Sequence, residues 1–543
     1  MSRVEAVPEL GAILEPAPPR ARRAPRPLLG AGLAVGIAAL LPAIYLVVRG
    51  AEAGASGIAD TLLDGRTAGL LVRTIGLAVA VTAGAVAIGV PLAWLTERTD
   101  LPGRRVWTVL AALPLVIPSF VGGYVFIAAL GPRGLVQGWL EPLGVERLPS
   151  IYGFPGAWLV LTLFTYPYVF LMARAALRGL DPTLEDAARS LGDGPRGVLR
   201  RVVLPQLRPS IVAGALLVAL YTLHDFGAVS LLRYDSFTRA IYLRYAGSFD
   251  RSSAALLALV LVAMTVLVLA AEGRARGRAA YHRSAAGARR PSPVVPLARA
   301  RWPAFAGCAL LALLALGVPM LVIGVWLARG IAAGEAAGVT WMAAWNSVRA
   351  SGLGALAAVV LAWPVAVLAV RFPGRAARGI ERTSFVGYAL PGLVVALALV
   401  FFAARYAPAI YQTQVLLVFA YVVLFLPQAT GALRASLLQV PPSLEEAAAS
   451  LGSGRMRTAR RIVLPLMRPG VLAGLALVFL TAMKELPATL LLAPTGFRTL
   501  AIEVWSATNA ASFARAASPA LVLIVIAAVP LALLLTRRPE GLR

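Results

Sequence analysis

Leu184-Glu185-Asp186-Ala187-Ala188-Arg189-Ser190-Leu191-Gly192 recurs as Leu444-Glu445-Glu446-Ala447-Ala448-Ala449-Ser450-Leu451-Gly452, shifted by 260 residues. The same shift carries Arg200-Arg201-Val202-Val203-Leu204-Pro205 onto Arg460-Arg461-Ile462-Val463-Leu464-Pro465 and Arg208-Pro209 onto Arg468-Pro469. Pro167 and Arg174 likewise fall on Pro427 and Arg434, while Pro102-Gly103-Arg104 answers Pro373-Gly374-Arg375 at a different shift. The chain is therefore two copies of one unit. Each repeated stretch lies between long apolar runs, so the unit is a set of spans with polar connections.

The composition agrees. Hydrophobic residues make up 59% of the 543 residues and charged ones 14%, and the mean hydropathy is +0.79. Soluble chains carry about 25% charge, so this one cannot cover a water-facing particle. The apolar runs have the length that crosses a bilayer core, roughly 18–25 residues. In the first half they cover Leu28–Val48, Leu70–Leu95, Val106–Leu130, Phe154–Ala173, Ile211–Leu232 and Ala254–Ala271. In the second they cover Phe305–Leu327, Val348–Val370, Ser384–Ala403, Val415–Ala432, Val471–Leu492 and Pro519–Leu535. The expectation is an all-α polytopic membrane protein of about 12 transmembrane helices, arranged as two parallel six-helix repeats.

The net charge of +26 is almost all arginine and sits in short connections. That is the pattern by which positive loops stay in the cytoplasm, and it argues against a nucleic-acid partner. Arg98, Arg104 and Arg105 follow the second run, and Arg371, Arg375, Arg378 and Arg382 follow the eighth. A third cluster lies after the sixth run, and Arg537, Arg538 and Arg543 end the chain. With both termini cytoplasmic, all these clusters fall on one side, and the opposite stretches Gly50–Thr67 and Gly330–Asn346 are nearly free of arginine. The expected organisation is a cytoplasmic tail over 1–27, a first half over 28–271, a flexible cytoplasmic linker over 272–302 and a second half over 303–543. Leu28–Val48 is long for a cleaved signal core of 7–15 residues, so it is expected to remain as the first span. Cys308 alone forms no internal disulfide, and His224 and His282 are too few for a zinc-type site.

Within the repeated segments, 181–209 and 441–469, Leu184, Ala187, Ala188 and Leu191 recur at helical spacing, as do Leu444, Ala447, Ala448 and Leu451. Asp181-Pro182-Thr183 and Pro442-Ser443 are start signals, Glu185 and Glu445 suit the first turn, and Gly192 and Gly452 end each helix. A short helix with small residues on one face and acids beside them suits a partner's groove. The prolines that follow are expected to turn the chain into the next span.

At these residues the chain resembles the permeases of ABC-type importers, marked by a Glu-Ala-Ala loop, a glycine and then Ile-x-Leu-Pro. The resemblance implies a type I importer permease fold in a bacterial inner membrane, with each loop helix docked on an ATP-binding subunit. The residues it implicates are Glu185, Asp186, Ala187, Ala188, Gly192, Leu204 and Pro205, with Glu445, Glu446, Ala447, Ala448, Gly452, Leu464 and Pro465. The first copy departs at Asp186 and Val202, whereas the second keeps Glu446 and Ile462. No phosphate-binding loop accompanies Lys484, the single lysine, because Phe479-Leu480-Thr481-Ala482-Met483 before it holds no glycine. No catalytic residue is expected. ATP and magnesium would be bound by two separate ATP-binding subunits, and an extracytoplasmic binding protein would deliver the solute.

The resemblance narrows further. Thr222-Leu223-His224-Asp225-Phe226-Gly227-Ala228-Val229, Phe237-Thr238-Arg239-Ala240-Ile241-Tyr242 and Met483-Lys484-Glu485-Leu486-Pro487-Ala488 are similar to ferric-iron permeases. Leu130-Gly131-Pro132-Arg133-Gly134-Leu135 and Tyr166-Pro167-Tyr168-Val169 fit as well. Fused thiamine permeases look alike at these positions, so thiamine or another small solute is the alternative. An ion-driven secondary transporter would need more buried acids, and a membrane enzyme would need a nucleophile–base set that is not apparent.

Asp225 and Glu485 occupy matching positions and are expected inside the fifth and eleventh spans. A charge at the membrane centre costs about 2.5–3.5 kcal/mol, so such acids line a pathway or pair with a cation. Carboxylate oxygens suit a hard cation such as ferric ion, and Tyr221, one turn before Asp225, is a further oxygen donor. The opposing expectation is a structural ion pair with Lys484 or Arg233.

Overall fold

The structure is a computed structural model, and it describes residues 24–132, 134–247, 251–277, 294–334 and 338–536. The N-terminal arginines before Ala24, Arg133, the linker arginines Arg278, Arg283, Arg289 and Arg290, and the C-terminal arginines lie outside the described residues. Among the described residues the chain is helical, with one isolated backbone bridge. Hydrocarbon offers no partner for a free N–H, so a helix that bonds within itself is the economical way across. Eleven helices are long and apolar enough to cross a membrane, or twelve if one bent pair counts as a span.

In the first half the elements are α1 (Arg26–Ala51), α2 (Gly65–Arg98), α3 (Ser119–Leu130), α4 (Phe154–Gly179), α5 (Pro182–Ser190), α6 (Leu204–His224), α7 (Gly227–Leu231), α8 (Phe237–Gly247) and α9 (Arg251–Gly277). In the second they are α10 (Val318–Ala332), α11 (Gly338–Arg371), α12 (Gly392–Tyr406), α13 (Gln414–Leu438), α14 (Pro442–Ser450), α15 (Leu464–Met483), α16 (Pro487–Leu492), α17 (Leu500–Asn509) and α18 (Phe513–Thr536). The core of the first half is α2, α4 and α6 packed on one another, and α11, α13 and α15 repeat that arrangement in the second.

Four expected spans are broken. Val106–Leu130 divides into the helix Arg104–Ala112, a 3-10 turn Leu113–Val116 and α3. Ser384–Ala403 divides into Arg375–Ser384, the turn Phe385–Tyr388 and α12, with a bend of 103°. The cause is Pro118 and Pro391, which lack an N–H and adopt an extended ψ of 148° and 145° just before α3 and α12. Ile211–Leu232 and Val471–Leu492 break at Asp225-Phe226 and Lys484-Glu485-Leu486, leaving the short α7 and α16 beyond. The carboxylates thus sit at helix breaks rather than inside continuous spans.

The prolines of the repeated segments act differently from expectation as well. Leu199–Val203 and Ala459–Val463 are π-helical and run straight into α6 and α15, so no turn intervenes. Pro205 and Pro465 cannot donate to the carbonyl one turn back, and the wider π register accommodates the missing bond.

The first spans of the two halves also reach across to the other half. α1 packs on Arg375–Ser384, α11 and α12 of the second half, and α10 packs on α3 of the first. A Cβ at Gly32 would lie 2.6 Å from Leu368, and one at Gly36 2.5 Å from Thr383. These two glycines, one turn apart, let α1 approach closely, as small residues do between membrane helices. Tyr45 donates to the Phe401 carbonyl at 3.3 Å, and Tyr124 to that of Phe513 at 2.9 Å, both across the halves.

The linker is less free than its composition suggests. α9 continues to Gly277. Beyond the undescribed stretch, the Val295 N–H donates to the Arg98 carbonyl and the Leu297 N–H to Asp100 Oδ1, each at 2.8 Å. Trp505 of α17 is buried, with its ring centroid 5.1 Å from that of Phe226 beside the break before α7.

Candidate functional site

Two places carry the chemistry: the short helices α5 and α14 at one end of the bundle, and the broken spans between the halves. Asp181 caps α5 by accepting the Thr183 N–H at 3.0 Å, and that bond holds its carboxyl below the usual carboxylate range. Gly192 and Gly452 follow the two helices with φ of +88° and +76°, a conformation that glycine adopts without Cβ strain.

The acids of these helices divide by direction. Glu185 is 3% exposed and faces inward, 2.9 Å from Arg98 at the end of α2, which is itself 1% exposed. The pair is close but not aligned as a hydrogen bond, so Arg98 Nε and Glu185 Oε1 have no hydrogen-bond partner among the described residues. Arg189 adds a contact to Glu185 at 3.3 Å, and Arg98 donates to the Leu177 carbonyl at 3.3 Å. In the second half Arg371 donates to Glu445 at 2.8 Å and to the Val440 carbonyl at 2.9 Å, in a more open setting. Each glutamate therefore ties its helix to the end of a span earlier in its half, α2 for Glu185 and α11 for Glu445. Ala188 and Ala448 are buried beside them.

What remains outward is Leu184, Asp186, Ala187 and Leu191 on α5 and its end, and Leu444, Glu446, Ala447 and Leu451 on α14 and its end. Leu191 and Leu451 are each 87% exposed. The structure thus splits the motif: half of it anchors, and half is an outward surface of leucine, alanine and one acid per helix. Leu204, Pro205, Leu464 and Pro465 begin the following spans, at or near that end. Sequence reasoning missed Arg98 and Arg371 as anchors because their charge already had an explanation in topology. Their matched positions at the ends of equivalent spans were the available signal.

At the broken spans, Asp225 is buried and accepts from the Ala228 N–H at 3.0 Å, the Val229 N–H at 3.2 Å and the Ser119 hydroxyl. Glu485 accepts from the Ala488 N–H at 3.1 Å. Each acid caps the short helix beyond its break. The expected ion pairs do not form: Lys484 donates to the Leu115 carbonyl at 2.9 Å, and Arg233 lies over the Tyr152 ring at 5.0 Å. Tyr221 packs on Tyr168 with ring centroids 6.0 Å apart, and His224 meets Thr265 at 3.4 Å.

The halves solve the same packing problem with different side chains. Pro118-Ser119 and Pro391-Gly392 begin α3 and α12. Where Ser119 meets the shorter Asp225, Gly392 faces the longer Glu485, and a Cβ at Gly392 would overlap Glu485 Oε1. The extra methylene fills the space of the absent hydroxymethyl group. The breaks also adjoin across the halves, since a Cβ on Gly227 would lie 3.4 Å from Leu486. Glu485 Oε2 accepts no hydrogen bond among the described residues, and no group of three metal-ligating side chains forms among them.

The family of binding-protein-dependent transport system inner membrane components matches residues 85–274 and again 354–537, so each half carries its own copy. An Fe(3+)-transport system permease protein of Haemophilus influenzae is 37% identical over 503 residues, covering 92% of this chain and 96% of that protein. A probable molybdenum ABC transporter permease of Haloferax volcanii is 35% identical over 206 residues, 37% of this chain and 74% of that one. A sulfate transport system permease of Escherichia coli is 29% identical over 206 residues, 38% and 70% of the respective chains. Two matches in register with the repeat, over a helical membrane fold, place this chain in the family of binding-protein-dependent transport system inner membrane components, with both halves in one polypeptide.

Proposed function

We propose that this protein is the membrane permease of an ATP-driven importer for ferric iron, working in a bacterial inner membrane with α5 and α14 on the cytoplasmic side. The observation that carries the reading is the pair of equivalent short helices on one end of the bundle, each tied to a span by a glutamate and each presenting a bare leucine-rich face. Two ATP-binding subunits supply the covering surfaces, one per helix, with ATP and magnesium held there. A rigid anchor to α2 and α11 then turns subunit closure into movement of the spans. The arginines of the sequence, gathered in the same set of connections as α5 and α14, support a cytoplasmic location for both termini.

Ferric iron is favoured over thiamine or another small solute by the nearly full-length similarity to an Fe(3+) permease. An extracytoplasmic binding protein delivers the cargo to the opposite face. The passage runs between the halves at the broken spans, where Glu485 Oε2 offers an oxygen ligand to a hard cation and Asp225 lies at the equivalent break. Tyr221 and Lys484 flank these positions.

The test is uptake of radioactive ferric ion, presented on the binding protein, into proteoliposomes holding the full complex, with thiamine in a parallel arm. ATP-dependent accumulation of iron but not thiamine is expected. Glu485→Gln keeps the capping oxygen and should slow iron uptake per assembled complex at least severalfold. Normal uptake in that variant removes the carboxylate from the pathway, and thiamine uptake without iron uptake overturns the substrate.

A further inference from the structure

α6 and α15 follow α5 and α14 and are of spanning length with their π segments, so the connections from α6 to α9 and from α15 to α18 begin at the far ends of those spans. Between them a cavity of about 220 Å³ opens, with Ser230, Arg233 and Arg239 on the first-half side and Trp505, Thr508 and Asn509 on the second-half side. No acidic side chain lines it. Arg239 pairs with Asp235 outside the cavity, whereas Arg233 has only the Tyr152 ring and no acidic partner among the described residues.

The backbone adds an independent observation. Among the described residues four non-glycine positions have positive φ, and two of them, Arg233 and Ala511 at 55° each, line this cavity. Arg233 ends α7, its N–H bonded to the Ser230 carbonyl at 3.0 Å while the Tyr234 N–H bonds to that of Val229 at 2.8 Å. Glycine is the residue that ends helices this way without strain. An arginine there pays a conformational cost that the turn itself does not require, and such strain collects where a side chain is used.

We propose that this cavity binds a small oxyanion or carboxylate, with Arg233 as its principal charge partner. Guanidinium presents paired N–H groups that match two oxygens of such a ligand, and Thr508 and Asn509 on the facing wall supply further hydrogen bonds. The volume equals about seven waters at ~30 Å³ each, enough for phosphate or a small carboxylic acid. Because the walls come from both halves, a bound anion favours the state in which the outer connections stay together. The site is separate from the coupling helices and does not depend on which solute is carried.

The experiment uses the full-length chain with its ATP-binding subunits in detergent. Sodium citrate and inorganic phosphate are titrated by calorimetry, with ferric citrate in a second arm. Saturable binding of one anion per chain is expected, at least tenfold weaker in Arg233→Gly and intermediate in Arg233→Lys. Arg233→Gly also relieves the positive-φ strain, so its melting temperature without ligand should not fall. Binding of citrate or phosphate alone identifies a free anion, and binding only of ferric citrate identifies an anion arriving as the metal's ligand shell. Absence of saturable binding in every arm, or equal affinity in Arg233→Gly, overturns the proposal. So does weakened docking of the binding protein in Arg233→Gly with anion affinity unchanged, which would assign Arg233 to an acidic protein surface. Because the citrate and phosphate arms contain no iron, their failure is distinguishable from failure of the iron reading.

Discussion

Replacing Glu185 by alanine removes the acid that holds α5 to the end of α2. At 2.9 Å and an effective dielectric of about 20, the attraction between Glu185 and Arg98 is about 6 kcal/mol before desolvation. Taking one partner away strands a buried arginine, and losses of about 3–5 kcal/mol follow when buried pairs are broken from one side. The lower end applies here, because the pair is not aligned as a hydrogen bond and Arg98 keeps the Leu177 carbonyl. A loss of about 3 kcal/mol is a factor of more than 100 in a local opening equilibrium. Amide hydrogen exchange over residues 182–190 should speed up by that factor in Glu185→Ala, with α2 and α4 little changed. In the assembled importer, ATP hydrolysis should continue while transport per ATP falls. Glu445→Ala should show a smaller effect, about 1–2 kcal/mol, since its pair with Arg371 is more open to solvent. If exchange over 182–190 changes less than threefold, Glu185 does not anchor the helix. If a chain carrying both Glu185→Ala and Glu445→Ala transports at the normal rate per ATP, the anchors play no part in coupling.

Further expectations follow from the same geometry. Gly192→Ala or Gly452→Ala should each cost about 1 kcal/mol at a positive φ and lower transport per ATP, and unchanged coupling in both would remove the need for a left-handed turn. Gly392→Ser should destabilise the permease by crowding Glu485, and adding Glu485→Asp should restore the melting temperature by recreating the Ser119–Asp225 arrangement of the first half; additive losses in the double variant would refute the exchange. A reporter active only outside the cytoplasm, fused after Arg283, should be silent, and strong activity would reverse the topology.

Much of this protein was legible in its residues. Apolar run length and arginine placement give a helical membrane protein of two repeated halves, because the bilayer forces backbone bonding within each segment and charge stays out of it. The doubled Glu-Ala-Ala loop gives two short helices with a glycine-dependent end, a local matter of caps and φ. What followed from neighbours far along the chain was not legible. Glu185 reads as a partner-facing acid until Arg98 is seen beside it, and Asp225 reads as an ion-pair member until backbone N–H groups and Ser119 are seen to satisfy it. The breaks at Pro118 and Pro391 hide inside apolar runs, since hydropathy does not register a missing N–H. The reach of α1 and α10 across the halves is likewise a product of close packing at Gly32 and Gly36 on one side and at α3 on the other. Apolar faces are interchangeable to a sequence reading; only the shape of the partner surface decides which of them meet.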